Sequence, residues 1–179
     1  MAAGKGTRMK STRPKVLHTL AGRSLLQHVL DATAPLEGMR QVIVTGHGAE
    51  LVEQAARGPR LEFARQEPQL GTGHAMQQAA PLLADDGTTL ILNGDVPLIE
   101  TGTLTALVAA CADKRLALLT ARLDDPSGYG RIVRSTDGPF VQAIVEHKDA
   151  TDAQRALREV YAGVMAAPTA ALKQWLARL

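Results

Sequence analysis

Stretches with apolar residues at helical spacing alternate along this chain with short apolar runs, and that alternation is what most restricts the folds open to it. Leu25, Leu26, Val29 and Leu30 recur at a helix period, and residues 41–45 (QVIVT) then read as a buried strand ending at Gly46. Residues 49–57 predict a helix, 61–65 a strand, 74–83 a helix, and 88–92 (TTLIL) another buried strand running into Asn93-Gly94-Asp95. A helix over 103–112 and a strand over 116–123 complete an α/β pattern with a largely parallel sheet. Two β segments follow, 130–134 and 141–146, separated by Ser135-Thr136-Asp137-Gly138, which carries a hairpin signal and predicts a small β insertion over one end of the sheet. A last strand over 160–166 leads to a helix that starts near Pro168 and continues to the end of the chain at Leu179.

A chain of 179 residues buries enough apolar surface to form one compact domain without cross-links. With 45% hydrophobic and 21% charged residues it has the composition of a folded protein, not a disordered one. Cys111 is its sole cysteine, which excludes an internal disulfide and a C-x-x-C site and suits a reducing compartment. No apolar run approaches the ~20 residues that span a bilayer, and no signal sequence opens the chain, so a cytoplasmic protein without membrane partners is expected.

The net charge of +2 is unevenly spread: Lys5, Arg8, Lys10, Arg13, Lys15 and Arg23 all precede Asp31, the first acidic residue. Within that segment Ala2-Ala3-Gly4-Lys5-Gly6-Thr7-Arg8-Met9 sets small residues where backbone N–H groups can approach an anion closely, with cations alongside, as a triphosphate requires. The stretch is neither a Walker A loop nor a dinucleotide G-x-G-x-x-G, since position 9 is Met. A bland tight turn and a solvated or nucleic-acid-binding basic arm are the competing readings. Arg13-Pro14-Lys15 favours the phosphate reading, because Pro14 stiffens the backbone beside Lys15 and a preorganised cation stabilises a transferring phosphoryl group.

Gln66 and the run Gln69-Leu70-Gly71-Thr72-Gly73-His74-Ala75 place a glycine-rich loop directly before a helix. The Gln66 amide and backbone groups at Gly71 and Thr72 can read a nucleobase edge; the alternative is an ordinary strand-to-helix turn. Asp95 follows a buried strand, where open α/β sheets bind ligands, and is a magnesium-ligand candidate; an Asx turn is the alternative. Gly128-Tyr129-Gly130-Arg131 and Val145-Glu146-His147-Lys148 bracket the β insertion, and Glu146 could accept hydrogen bonds from sugar hydroxyls. The histidines lack metal-ligand spacing and no Ser-His-Asp arrangement is present.

Taken together, the motifs AAGKGTRM (2–9), PKVLHTLAG (14–22), QLGTGHAMQQAAP (69–81), GDVPLI (94–99), DDPSGYGRIVR (124–134) and IVEHKDATDAQR (144–155) resemble the pyrophosphorylase, or uridyltransferase, domain of the bacterial bifunctional N-acetylglucosamine-1-phosphate uridyltransferase/glucosamine-1-phosphate acetyltransferase. The resemblance covers essentially the whole chain. It implies a Rossmann-like, doubly wound nucleotide-diphospho-sugar transferase fold, truncated at both ends. Residues 1–179 would form one partial domain without the acetyltransferase β-helix. It further implies that UTP and N-acetylglucosamine 1-phosphate give UDP-N-acetylglucosamine, a cell-envelope precursor, and pyrophosphate. Ala2, Ala3, Gly4, Lys15, Gln66, Gly71 and Thr72 would bind the nucleotide, Arg8 and Lys15 neutralise phosphates, and Asp95 hold magnesium. Gly130 and Glu146 would hold the sugar, with Asn93, Gly94 and Tyr161 at further substrate-binding positions.

The chain departs from the family pattern in four places. The family's hydrophobic first strand precedes Ala-Ala-Gly, where this chain has only Met1, and its second magnesium ligand, an Asn, lies beyond Leu179. Tyr161 replaces the family's amino-sugar-binding Asn, and Asn93 replaces a Tyr. The resemblance implies a homotrimeric parent and a monomeric piece. The rival readings are the same fold with another sugar phosphate or nucleoside triphosphate, molybdopterin guanylyl transfer included, and an inactive nucleotide-binding fragment.

Overall fold

The computed structural model describes residues 1–4, 6, 9–58, 60–138 and 140–179 and is α/β, as predicted. It consists of two compact units, one of residues 1–117 and 166–179, the other of 118–165. Among the described residues no helix is long and apolar enough to cross a membrane.

The first unit opens with a small hairpin, β1 (Thr19–Leu20) and β2 (Arg23–Ser24), that two-residue strands hide from any periodicity argument. Its loop, Ala21-Gly22, has positive φ at both residues, which matches the twist of paired strands. Ser24 then caps α1 (Leu25–Thr33), its hydroxyl accepting the Gln27 N–H at 3.1 Å, and the helix buries Leu26, Val29 and Leu30. The parallel pair β3 (Gln41–Thr45) and β4 (Leu61–Arg65), connected through α2 (Ala49–Ala55), falls where the apolar runs predict it. Alternating side chains of β3 feed two apolar clusters: Ile43 joins Leu26, Leu30 and Val52, while Val44 joins Ala64, Ala75 and Ala79.

Helix α3 (Thr72–Ala79) tightens into a 3-10 turn over Ala80–Leu82, where Pro81 lacks the N–H that an α-helix would use. Strand β5 (Thr88–Ile91) and α4 (Thr101–Cys111) follow, and Leu104, Cys111 and Val52 have no exposed surface at all. The unit closes with α6 (Thr169–Leu176). Two expectations are corrected there. Pro168 is the N-cap instead of a first-turn residue, and the helix ends at Leu176 because Arg178 and Leu179 turn back onto Trp175 and Leu176 in i−3 bonds of 3.1 and 3.4 Å.

The second unit is built from β6 (Ala117–Arg122), β7 (Arg131–Arg134), β8 (Val141–Val145), the single-turn α5 (Asp152–Arg155) and β9 (Glu159–Pro168), whose last residues return to the first unit. β7 and β8 form the antiparallel hairpin that Ser135 to Gly138 predicts, and β7 is antiparallel to β9 through Arg131 and Val160. Arg134 and Glu159 pair at 2.5 Å on this sheet, and that bond holds the Glu159 carboxyl below its usual range. A full capping box at Thr151 and Gln154 starts α5, a signal the sequence carried and its β-rich surroundings obscured.

Candidate active site

In the first unit the loops at the carboxyl ends of β3, β4 and β5 meet the chain's opening residues around a cleft of about 790 Å³. Ala2, Ala3, Gly4, Lys15, Gln66, Gly71, Thr72, Asn93 and Asp95 all line it, so residues far apart in the sequence meet in one site. Arg8 lies outside the described residues.

The opening segment is fixed by backbone pairing. Ala2 bridges Thr45 in parallel and donates to the Val44 carbonyl at 2.7 Å, while Ala3 accepts the His47 N–H at 3.4 Å. That close approach depends on Gly46: a Cβ there would stand 2.8 Å from the Ala3 oxygen and 3.0 Å from the Gln69 amide nitrogen. Lys15 sits on a 3-10 turn, Lys15–Leu17, entered from Pro14 and anchored by the buried Val16 and Leu17. The rigidity that Pro14 suggested in the sequence thus has a second source in the core.

Gly48 completes the support in a way the sequence did not disclose. Its φ of +68° is a left-handed conformation, and a Cβ on it would lie 2.6 Å from Pro14 Cγ. Gly48→Ala is therefore expected to lower stability by ~2 kcal/mol, seen as a lower midpoint in urea unfolding, and to displace the Pro14-Lys15 turn.

Lys15 reaches Asp95, Nζ to Oδ2 2.5 Å, with the two side chains 43% and 28% exposed toward the cleft. Asp95 is aimed there because Gly94 is locked behind it: the Gly94 N–H donates to the Met1 carbonyl at 2.8 Å, and a Cβ on Gly94 would lie 3.1 Å from Val16 Cγ1. Gly94 is a backbone support here, not a group lining the cleft.

Gln66 is 3% exposed, and its amide nitrogen donates to the Gly71 carbonyl at 2.9 Å and lies 3.2 Å from His74 Nδ1. The bond to the Gly71 carbonyl orients the amide and leaves Oε1 as its acceptor end. Gly71, at φ +101°, is the N-cap of α3, whose first-turn amides have no acceptor within the helix. The Gln69 side chain closes this loop on the Gln66 carbonyl at 3.0 Å.

Among the described residues no group of three or more His, Cys, Asp or Glu could hold a metal. The donor set in the cleft, one partly exposed carboxylate with room around it, suits magnesium, which takes one or two protein carboxylates and completes its shell with phosphate oxygens and water. It does not suit zinc, which demands three or four protein ligands.

The second unit gathers the remaining candidates. Gly130 precedes β7 and Glu146 follows β8, and a Cβ on Gly130 would lie 3.6 Å from Glu146 Oε1. The Tyr161 N–H donates to the Gly130 carbonyl at 3.0 Å, and burial pushes the Tyr161 hydroxyl up to about 12. Behind them Arg131, 1% exposed, donates to the Tyr129 carbonyl and to His147 Nδ1 at 3.2 Å, tying both bracketing loops together. Nothing in the sequence marked this arginine as buried, since a lone Arg after a Gly-Tyr-Gly turn reads as surface.

The chain is similar over its whole length to known proteins. Proteins named bifunctional protein GlmU from Methylibium petroleiphilum and Cellvibrio japonicus are 67% and 55% identical over the whole of this chain, which spans 40% and 39% of their lengths. Apo UDP-glucose pyrophosphorylase superposes with a TM-score of 0.73 at 15% identity, covering 99% of this chain and 77% of its own. A putative glucose-1-phosphate thymidylyltransferase from Bacillus anthracis gives 0.74 at 15% identity, covering 96% and 70%. At such identities these two likenesses speak to the fold alone, and they support the nucleotide-diphospho-sugar transferase architecture that the motifs imply. The model of the MobA-like NTP transferase domain matches residues 1–166, and with the cleft, the glycine-rich loops and the Lys15–Asp95 pair in place the chain belongs to that family.

Proposed function

We propose that this chain carries the nucleotidyl-transfer site of a uridylyltransferase that joins UTP to N-acetylglucosamine 1-phosphate and releases pyrophosphate. The observation that carries the reading is one cleft in which a glycine-rich opening, the Gln66 amide, a rigid lysine and a carboxylate converge. The similarity to proteins named GlmU over the full chain supports the same choice of substrates.

In this reading a phosphate oxygen of the sugar phosphate attacks the α-phosphorus of UTP, the bond from that phosphorus to the bridging oxygen breaks, and pyrophosphate leaves with the electron pair. The attacking group is already an anion, so no general base is needed and positioning with charge neutralisation carries the rate. Asp95 would hold magnesium, which supplies charge neutralisation at the phosphates when bound. Lys15 adds a fixed positive charge, and the backbone of Ala2, Ala3 and Gly4 with the α3 N-terminus at Gly71 and Thr72 receives the nucleotide. Gly130, Glu146 and Tyr161 form the candidate sugar group.

The Oε1 of Gln66, at the acceptor end of an amide that the Gly71 carbonyl orients, selects the base in this reading. It accepts from the N3–H of uracil, whereas cytosine offers a bare acceptor at N3, and two facing acceptors repel. Pyrophosphate release from UTP with N-acetylglucosamine 1-phosphate and magnesium is therefore expected to exceed that from CTP by at least ~100-fold in kcat/KM, and Gln66→Leu is expected to cut the UTP value sharply. Equal use of the two nucleotides would reject the base assignment. Efficient turnover of another sugar phosphate alone would move the reading to the rival substrate pair.

A further inference from the structure

In the second unit the β7–β8 ladder ends at the pair Arg131 and Val145, and the same register carried outward sets Gly130 across from Glu146 and Tyr129 across from His147. A Cβ on Gly130 would lie 3.0 Å from Ile144 Cγ2 and 3.6 Å from Glu146 Oε1, so the carboxylate rests close against the Gly130 backbone. At the next step outward the Arg131 side chain spans the gap, donating to the Tyr129 carbonyl on one loop and to His147 Nδ1 at 3.2 Å on the other. Gly130 and Glu146 are thus held between the last rung of the ladder and a side-chain clasp.

An apolar side chain would fill this place at less cost. Arg131 is 1% exposed, its Nε is buried without a hydrogen-bond partner, and its two bonds go to a carbonyl and an imidazole, neither of which offsets its charge. What the arginine adds is a bond with one possible direction. A guanidinium only donates, so His147 Nδ1 is the bare acceptor and the proton of the neutral ring sits on Nε2. Protonation of His147 removes that acceptor and sets a second cation against the buried first.

The charged groups around His147 are Arg131 from β7, Asp125 from the segment before it, and Arg155 of α5, whose Nε donates to the His147 carbonyl at 3.5 Å; Glu146 and Lys148 flank it in the chain. The Asp125 carboxyl is held below its usual range, chiefly by the Ser127 hydroxyl and N–H, and so stays ionised where an imidazole titrates. His147 is half-buried, which leaves its ring within reach of solvent protons.

We propose that Arg131 is a positioning residue for the sugar phosphate: with His147 neutral it clasps the loops that carry Gly130 and Glu146, and when His147 takes a proton the clasp opens and sugar affinity falls while nucleotide affinity does not. The inference rests on the reading of Gly130 and Glu146 as the sugar group.

The test joins kinetics of the 179-residue chain to a direct readout of the ring. Long-range proton–nitrogen correlation spectra at about pH 8 are expected to show His147 protonated on Nε2 and bare on Nδ1. In pyrophosphate release from UTP, His147→Leu is expected to raise KM for N-acetylglucosamine 1-phosphate about tenfold and to move KM for UTP less than about twofold, since it strands one buried Arg131 donor. His147→Asn, whose Oδ1 stands where Nδ1 does and cannot take a proton, is expected to restore the low sugar KM. Between about pH 8 and about pH 5.5 the sugar KM of the unaltered chain is expected to rise several-fold more than that of the Asn variant. The sugar phosphate itself titrates in that window, but equally for both proteins, so the difference between them reads His147 alone. A proton on Nδ1 would overturn the clasp whatever the kinetics show. Turnover in which both KM values move together in the Leu variant, or in which the Asn variant keeps the full pH response, would overturn the positioning role and leave the substrate reading standing. No turnover by the unaltered chain would reject the substrate reading and the positioning role with it, the spectra then deciding the bond by itself.

Discussion

On the proposed function, Asp95→Ala is expected to lower magnesium-dependent pyrophosphate release from UTP and N-acetylglucosamine 1-phosphate by ~1000-fold or more, with the loss in kcat. The expectation rests on the donor set: Asp95 is the carboxylate among the residues that line the cleft, so its removal leaves the cation no protein anchor there. A thousandfold corresponds to ~4 kcal/mol of lost transition-state stabilisation, within the range one well-placed electrostatic group supplies. The fold should survive. The Lys15–Asp95 pair is partly exposed, 43% and 28%, and such ion pairs contribute ~0–1 kcal/mol to stability, so Tm moves little. A variant with unchanged Tm and unchanged turnover would remove Asp95 from the mechanism and favour its reading as an Asx-type turn residue.

Lys15→Met is the companion experiment, with an expected fall of ~100-fold in kcat and a smaller change in KM for UTP. Lys15 is presented by a turn that Pro14 enters and that Val16 and Leu17 nail to the core, so little freedom is lost when it meets a phosphate. Its bond to Asp95 at 2.5 Å also places the cation beside the proposed magnesium ligand, where charge develops as pyrophosphate departs. Lys15→Arg keeps the charge but not the compact ammonium and is expected to restore only part of the rate. If Lys15 served merely to hold Asp95 in place, its loss would act through metal dependence: higher magnesium would rescue the Met variant, which the phosphate role does not predict.

Most elements were legible because their signals are local. The segments at 41–45 and 61–65 coincide with β3 and β4: β3 has an apolar centre, is buried from Ile43 to Thr45 and is ended by Gly46, while β4 pairs beside it with Leu61, Phe63 and Ala64 as its apolar residues. Helix ends were less legible: α3 starts at Thr72, two residues before its apolar period does, because Gly71 with φ +101° supplies the cap. The β1–β2 hairpin escaped because two-residue strands have no period, and α5 because four residues cannot show one. At the site, Lys15, Gln66, Gly71 and Asp95 announced themselves by composition and by their place beside strand ends. Gly46 and Gly48 did not, since their value lies in what a Cβ would strike, Ala3 in one case and Pro14 in the other, and those neighbours are distant in sequence or set by the turn.

The sequence by itself determined the α/β alternation, the identity of the chemistry-bearing residues and the presence of a β-rich segment after residue 123, because each follows from side-chain period, glycine content or charge within a few neighbouring positions. Only the tertiary structure decided that Lys15 and Asp95 touch, that the Gln66 amide bonds the Gly71 carbonyl beside His74, and that Arg131 is buried. These are relations between residues far apart in the chain, fixed by backbone pairing and packing, and no local pattern encodes which partner a buried polar group will find.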